Sequence, residues 1–433
     1  MNQDILVEWN PWWEKKVEFE LVDRELKSEI IKWIERKEVT AILGVRRSGK
    51  TSLLYLIVDY LIKSTNPKNI LFIKADDERI KKEGLISKSI ELYKELISPK
   101  GKVFVFIDEI QEVPEWENTL KRIYDLEKNT KFFITGSNFS MLKEDLSYRL
   151  AGRLAYFDLY PFSFKEFLKT KMNIKNKISL LSKKQEIKHN LVKYIEFGGF
   201  PEVVLEKDEK KKNQLLQFYF DTIIYRDIIK RRGIRSSAKM EKMINYFLQN
   251  ISNLANFSKV GKTVFLSTDS ITEYVKYLQD AFFVFSLSLF SFSLKKQEIN
   301  PKKIYCVDSG IRNVKGFRFS KDYGRLVENT VFIEIKRKNC ANPLLGVFYW
   351  ISKSHEVDFV VKDGLRVKEL IQVCWNSEEV EVKKREIEGL LEAMREFKVN
   401  KSILITKEEE GKEKIKNKKI KLIPLWKWLL NIE

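Results

Sequence analysis

The sequence predicts an α/β chain: a mostly parallel sheet covered by helices on both faces, then helical segments, then a second, smaller α/β unit. Short apolar runs recur between residues 39 and 159 with helical stretches between them, the pattern of a parallel sheet built from strand–helix repeats. A similar alternation returns after Pro301. The length, 433 residues, exceeds what one ordinary core organises.

Residues 20–37 place Leu26, Ile30, Ile31, Trp33 and Ile34 at helical spacing, and residues 39–43 then form a buried strand closed by Gly44. After Lys50, the positions Leu53, Leu54, Leu56, Ile57, Tyr60 and Leu61 repeat with helical period until Asn66 and Pro67. Further buried strands are expected at 70–73, 103–107, 132–134 and 155–159. Past Pro161 a helix is expected over 162–169, followed by a lysine- and asparagine-rich stretch at 171–188 that lacks periodicity. Residues 189–233 read as helices broken by Gly198, Gly199 and Pro201. Helices at 240–254 and 272–279 precede an apolar, aromatic run, which fits a small helical module ending in a hairpin. The last segment reads as a strand at 303–307, a helix at 326–335, strands at 346–351, 357–362 and 369–373, a helix at 382–397 and a strand at 402–406.

Hydrophobic residues make up 44% and charged residues 33%, which describes a globular chain with a heavily solvated surface. The formal charge of +19 draws the protein towards polyanions such as DNA, although lysine is spread so evenly that a compositional habit explains it equally well. The longest apolar stretch, 281–294, carries several serines and falls short of the about 20 residues a spanning helix needs. No membrane association is expected, and the acid-containing start is neither a secretory signal nor a transit peptide. Cys306, Cys340 and Cys374 are odd in number and widely spaced, with only His189 and His355 as histidines, so neither a disulfide framework nor a zinc site is supported. A reducing, cytoplasmic setting is the expectation.

The residues Gly44, Val45, Arg46, Arg47, Ser48, Gly49, Lys50 and Thr51 complete the pattern G-x-x-x-x-G-K-[ST] between an expected strand and an expected helix. That context makes it a P-loop, in which backbone N–H groups and a helix N-terminus surround phosphate oxygens. ATP and Mg²⁺ are the expected cofactors. Gly44, Arg46, Arg47, Ser48, Gly49, Lys50, Thr51 and Ser52 would hold the nucleotide, with Lys50 neutralising the β and γ phosphates and Thr51 ligating magnesium. The strand at 103–107 delivers two acids: Asp108 for magnesium, and Glu109 to polarise the attacking water. The strand at 132–134 leads to Thr135, Gly136, Ser137 and Asn138, polar groups suited to sensing the γ-phosphate. Arg149 and Arg153 are candidates for an arginine finger, supplied in cis or from a neighbouring subunit.

With these residues assembled, the chain resembles the archaeal ATPase family, AAA+-like P-loop proteins of the group with STAND-type relatives. The resemblance rests on Asn10-Pro11-Trp12-Trp13, the P-loop, Ile107-Asp108-Glu109-Ile110-Gln111 with Trp116, Thr135-Gly136-Ser137 and Leu150-Ala151-Gly152-Arg153. It continues through Gly198-Gly199-Phe200-Pro201 and Asn300-Pro301-Lys302-Lys303-Ile304-Tyr305. It implies an ASCE-type (AAA+-like) P-loop core over 1–165, a helical lid over 166–235, a winged-helix module over 236–300 and a nuclease-like domain of the PD-(D/E)XK kind over 301–433.

In that nuclease-like fold, acids bind metal ions that activate water against a phosphodiester. Glu328 and Glu356-Val357-Asp358 resemble its first two elements, but the third reads Gln372-Val373-Cys374 where acid-x-lysine is implied. Glu328, Asp358 and Gln372 therefore mark a vestigial metal site, with Glu298, Lys336 or Lys338 as substitutes in space. An inactive, DNA-binding or structural domain is expected ahead of a working nuclease. Three functions follow: an ATP-driven switch or motor on DNA, an ATP-controlled assembly switch without DNA chemistry, and an ATP-gated nuclease. Nucleotide and DNA are the expected partners, and a homo-oligomer is left open.

Overall fold

The structure, a computed structural model, describes residues 2–137, 152–174, 176–316, 323–339, 342 and 344–432. Asn138, Arg149, Leu150, Ala151 and Cys340 lie outside the described residues. The chain divides into two compact units, Met1–Tyr160 with Asp280–Phe282, and Pro161–Gln279 with Phe283–Glu433. Among the described residues, no helix is long and apolar enough to cross a membrane.

The first unit is built on five parallel strands: β1 (Val39–Leu43), β2 (Ile70–Lys74), β3 (Val103–Asp108), β4 (Thr130–Gly136) and β5 (Leu154–Asp158). Their order is β2-β3-β4-β1-β5, so β4 lies between the P-loop strand and the strand that ends in the paired acids. This is the P-loop ASCE fold, with helices covering the sheet. The strands are short because their apolar runs are short, and β1 is buried at all five positions, as a strand covered on both faces must be. Phe72, Phe106 and Phe133 stack across β2, β3 and β4, with ring centroids 6.1 and 4.7 Å apart. The registers pair Leu43 with Gly136 and Ile107 with Ile134, which aligns the carboxyl ends of β1, β3 and β4.

The edge strand β2 is covered by the N-terminal arm. Asn10 accepts from the Phe72 N–H at 2.6 Å and donates to the Phe72 carbonyl at 2.9 Å and the Leu6 carbonyl at 2.8 Å. Its amide thus acts as a one-residue strand partner. The indoles of Trp12 and Trp13 both donate to the Ile70 carbonyl, at 3.2 and 2.8 Å. An exposed edge is an open invitation to pairing with another chain, and this arm closes it. The helix expected over 20–37 is confined to Glu25–Ile31, preceded by Arg24 in extended backbone.

In the second unit, residues 171–188 depart from the expected irregular chain and form the helices Lys177–Ser182 and Lys184–Phe197. Asn176 caps the first, and burial of Ile187 and Leu191 secures the second, so tertiary packing supplies what periodicity lacked. The Gly198-Gly199 pair follows. Gly198 has φ +75°, and a Cβ there would lie 1.8 Å from the Asp308 carboxylate, which accepts the Gly199 N–H at 2.7 Å.

Helices Ser237–Gln249, Phe257–Val264 and Thr268–Asp280 come with strands β6 (Leu254–Ala255), β7 (Val284–Leu287) and β8 (Lys302–Cys306). The helix Phe257–Val264 was not anticipated, its eight residues being too short for a periodic signal. The three strands form a sheet of order β6-β8-β7, antiparallel throughout. β8, expected to open the C-terminal domain, instead pairs with β6 and β7, so a boundary at 300/301 would divide a sheet.

The remaining strands are β9 (Leu345–Ile351), β10 (Glu356–Asp363), β11 (Arg366–Cys374), β12 (Lys401–Thr406), β13 (Gly411–Ile415) and β14 (Lys418–Pro424). They form a mixed sheet of order β13-β14-β12-β11-β10-β9, packed by the helix Val380–Glu396.

Replacing Asn10 by alanine would leave the buried N–H and C=O of Phe72 without partners. The expected cost is about 2–3 kcal/mol of stability in the first unit, read by urea unfolding of the full chain. A loss within experimental error would show that the edge is held by the tryptophans alone.

Candidate functional site

The P-loop leaves β1 at Gly44, where the loop passes so close to the segment after β5 that a Cβ would lie 2.2 Å from the Leu159 carbonyl oxygen. Only glycine fits that approach. Arg47 (φ +68°) and Gly49 (φ +95°) turn the loop into the helix Lys50–Ile62, with Lys50 as its first residue. Lys50 is 4% exposed, and its ammonium reaches the carbonyls of Gly44 at 3.2 Å and Val45 at 3.4 Å and the Glu109 carboxylate at 3.5 Å. The hydroxyl of Thr51 donates to Asp108 Oδ2 at 2.7 Å. Thr135, at the end of β4, donates to Asp108 Oδ1 at 2.5 Å and accepts the Glu109 N–H at 2.8 Å. Gln111 donates to Glu109 and, at 3.4 Å, to Ser137. The structure therefore brings Lys50, Thr51, Asp108, Glu109 and Ser137 to one end of the sheet. Ser52 is half-buried on the first turn of the helix.

Residues 36–168 match an AAA domain family, and residues 188–320 match a domain of unknown function, DUF8612. The uncharacterized protein MJ1544 of Methanocaldococcus jannaschii is 36% identical over 423 residues, spanning 95% of this chain and 91% of its own. An uncharacterized protein of Haemophilus influenzae is 30% identical over 415 residues, spanning 93% of this chain and 96% of its own. The chain belongs to the MJ1544 family. Among solved structures, a DNA polymerase III gamma subunit-related protein of Thermotoga maritima overlies 59% of this chain and 100% of its own, at a TM-score of 0.28 and 12% identity.

The AAA core of this MJ1544-family chain is a nucleotide-binding domain of the ATPase type, and its charges are set accordingly. Burial and the adjacent charge of Glu109 push Asp108 up to about 6, against the hydroxyl bonds from Thr135 and Thr51. Burial also favours the neutral form of Glu109, but Lys50, Gln111 and Arg46 outweigh it and hold its carboxyl below the usual range. A magnesium nucleotide fits these residues. The buried Ser48 hydroxyl has no hydrogen-bond partner among the described residues, and the Lys50 ammonium rests on loop carbonyls that a phosphate would outcompete. Thr51 and Asp108 already meet where a cation would join them. Mg²⁺ bound there would neutralise phosphate charge.

Arg153 departs from its expected place. It precedes β5, its carbonyl accepts the Val39 N–H at 2.8 Å, and its guanidinium pairs with Asp125 at 3.1 Å. That is the amino end of the sheet, opposite the P-loop, so an arginine finger in cis is corrected: a parallel strand separates the two.

The second unit holds another charged cluster, in a cavity of 710 Å³. Glu328, on the helix Tyr323–Asn339, and Asp358, on β10, each meet the Lys303 ammonium at 2.9 Å, and Glu356 joins them. Tyr305 donates to Glu328 at 2.7 Å. Gln372 accepts the Asp358 N–H at 2.8 Å and donates to Glu386 at 2.7 Å, so Glu328, Asp358 and Gln372 do share a site. The expected substitutes do not: Glu298 pairs with Lys302 at 3.5 Å, Lys336 faces Phe285 and Lys338 faces Trp428. The lysine is Lys303, from β8. Burial favours its neutral amine, but Asp358 and Glu328 outweigh that and hold it protonated, while burial and Asp358 push Glu328 up to about 8.

Lys303, Glu386, Gln111 and the catalytic-end contacts of Thr135 escaped sequence reasoning. For Lys303 the motif Asn300-Pro301-Lys302-Lys303-Ile304-Tyr305 was the available signal, and it lies too far along the chain from Asp358 to read as a neighbour.

Thr135→Val would remove the hydroxyl that bonds both acids while keeping the strand. Calorimetric titration should show Mg·ATP affinity falling roughly tenfold, with ATP in chelator unchanged; equal losses under both conditions would make Thr135 a packing residue.

Proposed function

We propose that the protein is a Mg²⁺-dependent ATPase that acts as a nucleotide-driven switch on DNA. The observation that carries the ATPase reading is the junction of Lys50, Thr51, Asp108 and Glu109 at one sheet end. Lys50 would neutralise the β and γ phosphates, Thr51 and Asp108 would hold magnesium, and Glu109, released from Lys50 and Gln111, would orient water. The Ser48 hydroxyl and the amides of 44–51 would complete the cradle, with Ser137 near the γ-phosphate.

The DNA part is supported by charge and by element order. The order helix, strand, two helices and two strands, with the short helix Leu294–Ile299 between the last two strands and a sheet order β6-β8-β7, supports reading this module as a winged helix. Its last helix, Thr268–Asp280, exposes Asp269 and Glu273 beside Lys276, which disfavours base reading. Lys230, Arg235, Lys239 and Lys242 are exposed at and before the first helix, which favours contact with the phosphate backbone.

The reading of the C-terminal sheet as a nuclease-like domain gains Lys303 but not a metal site. Lys303 stands between the carboxylates where a cation would enter, and among the described residues no three acidic, histidine or cysteine side chains are placed to share an ion. The residues do not fit a divalent metal, so a DNA-contacting or structural role is favoured over cleavage.

Lys50→Ala should abolish ATP turnover, and Glu109→Gln should bind Mg·ATP while hydrolysing it about 100-fold more slowly. A normal rate in the glutamine variant assigns the water to another group. Duplex DNA should raise the wild-type ATPase rate, with binding that weakens steeply as salt rises. If DNA neither binds nor alters turnover while ATP changes the mass in solution, the assembly-switch reading replaces this one. Plasmid nicking with Mn²⁺ that disappears in Asp358→Ala would restore the nuclease reading.

A further inference from the structure

Arg24 lies outside every motif of the sequence, yet its side chain is tied to the P-loop. The residue is 4% exposed, and its guanidinium donates from Nη1 to the Ser48 carbonyl at 2.8 Å and from Nη2 to the Tyr160 carbonyl at 2.7 Å. A charged group is buried this deeply only where hydrogen bonds compensate its lost hydration. Both acceptors are informative. Ser48 is the P-loop residue before Gly49, and Tyr160 ends the segment that buttresses the loop, where the Leu159 N–H donates to the Leu43 carbonyl at 2.6 Å.

The Ser48 carbonyl and the Gly49 N–H belong to one planar peptide. A cation bonded to the carbonyl draws electron density from that unit, which makes the N–H at its other end a stronger donor and fixes the direction in which it points. In a glycine-rich turn that opens a helix, such N–H groups are the ones that meet phosphate oxygens. The second hydrogen bond, to Tyr160, ties the guanidinium to the segment after β5 as well as to the loop.

We infer that Arg24 is a positioning residue of the nucleotide site: it polarises and orients the Ser48–Gly49 peptide for phosphate and anchors the loop to the end of the strand β5. The inference rests on the nucleotide reading above. Gly49 would meet phosphate in both the ground state and the transition state, so its contribution is to uniform binding, and loss of Arg24 raises KM without lowering kcat.

The test is steady-state ATPase kinetics and calorimetric ATP and ADP binding for wild type, Arg24→Met and Arg24→Lys, each with its thermal midpoint recorded. In Arg24→Met, KM and the nucleotide dissociation constants should rise about 10- to 100-fold, the size expected for losing a hydrogen bond to a charged group, with kcat within about threefold. Arg24→Lys keeps the charge and one hydrogen bond, and should fall between the two. A merely structural arginine would do the opposite, lowering kcat through loss of active protein at unchanged KM, and that result overturns the inference. If Arg24→Met does not fold, unchanged KM in a folded Arg24→Lys overturns it equally. A wild-type protein that takes up no ATP overturns the nucleotide reading and this inference together, whereas tight ATP binding by both wild type and Arg24→Met overturns the inference alone.

Discussion

Asp108 is the group on which the nucleotide-binding end depends. One carboxylate oxygen accepts from Thr51 at the start of the P-loop helix, and the other accepts from Thr135 at the end of β4. These partners are 57 and 27 residues away in sequence, and they meet because β4 runs between β1 and β3 in parallel register. A buried carboxylate is costly unless hydrogen-bonded, so the two hydroxyls are conditions for having an acid there at all. Burial and the neighbouring Glu109 charge push Asp108 upward against these two hydroxyl bonds, while Glu109, facing Lys50, is held below the usual carboxylate range. Adjacent acids in one peptide thus acquire different chemistry from their surroundings.

The P-loop is shaped from outside as much as by its own glycines. Leu159 presses on Gly44 from the segment after β5, and Arg24 grips the Ser48 carbonyl from the N-terminal arm. That arm also closes the β2 edge through Asn10 and the paired tryptophans. The first 24 residues therefore have two separable tasks, satisfying an otherwise open strand and tensioning the loop. Each uses side-chain hydrogen bonds to backbone groups that a sheet or turn cannot satisfy by itself.

The second unit uses buried charge differently. Asp308 accepts the N–H groups of Gly199 and Gly310, at 2.7 and 2.8 Å, and so pins the Gly198-Gly199 turn to the start of the helix Ser309–Lys315. Lys303 performs the complementary service for Glu328, Glu356 and Asp358. Breaking such a cluster on one side would leave unpaired charge in a protein interior, which is strongly destabilising whatever the cluster's chemical role.

The five strands, the P-loop and the paired acids were legible in the sequence because each is a local pattern: an apolar run, a glycine spacing, a strand followed by polar residues; the expected burial fails at the edge strand β5, where Tyr156 is exposed. The missed helices at Lys177–Ser182 and Phe257–Val264 are short and owe their existence to caps and neighbours. Tertiary structure alone decided where the long-range partners fall. Arg153 went to the far end of the sheet, Lys303 crossed from β8 into a cluster assembled from β10, and Arg24 reached a loop 24 residues on. The physical reason is the same in each case: periodicity and spacing report what a residue does within its own element, whereas a long charged side chain finds its partner through the register and order of strands, which no local pattern encodes.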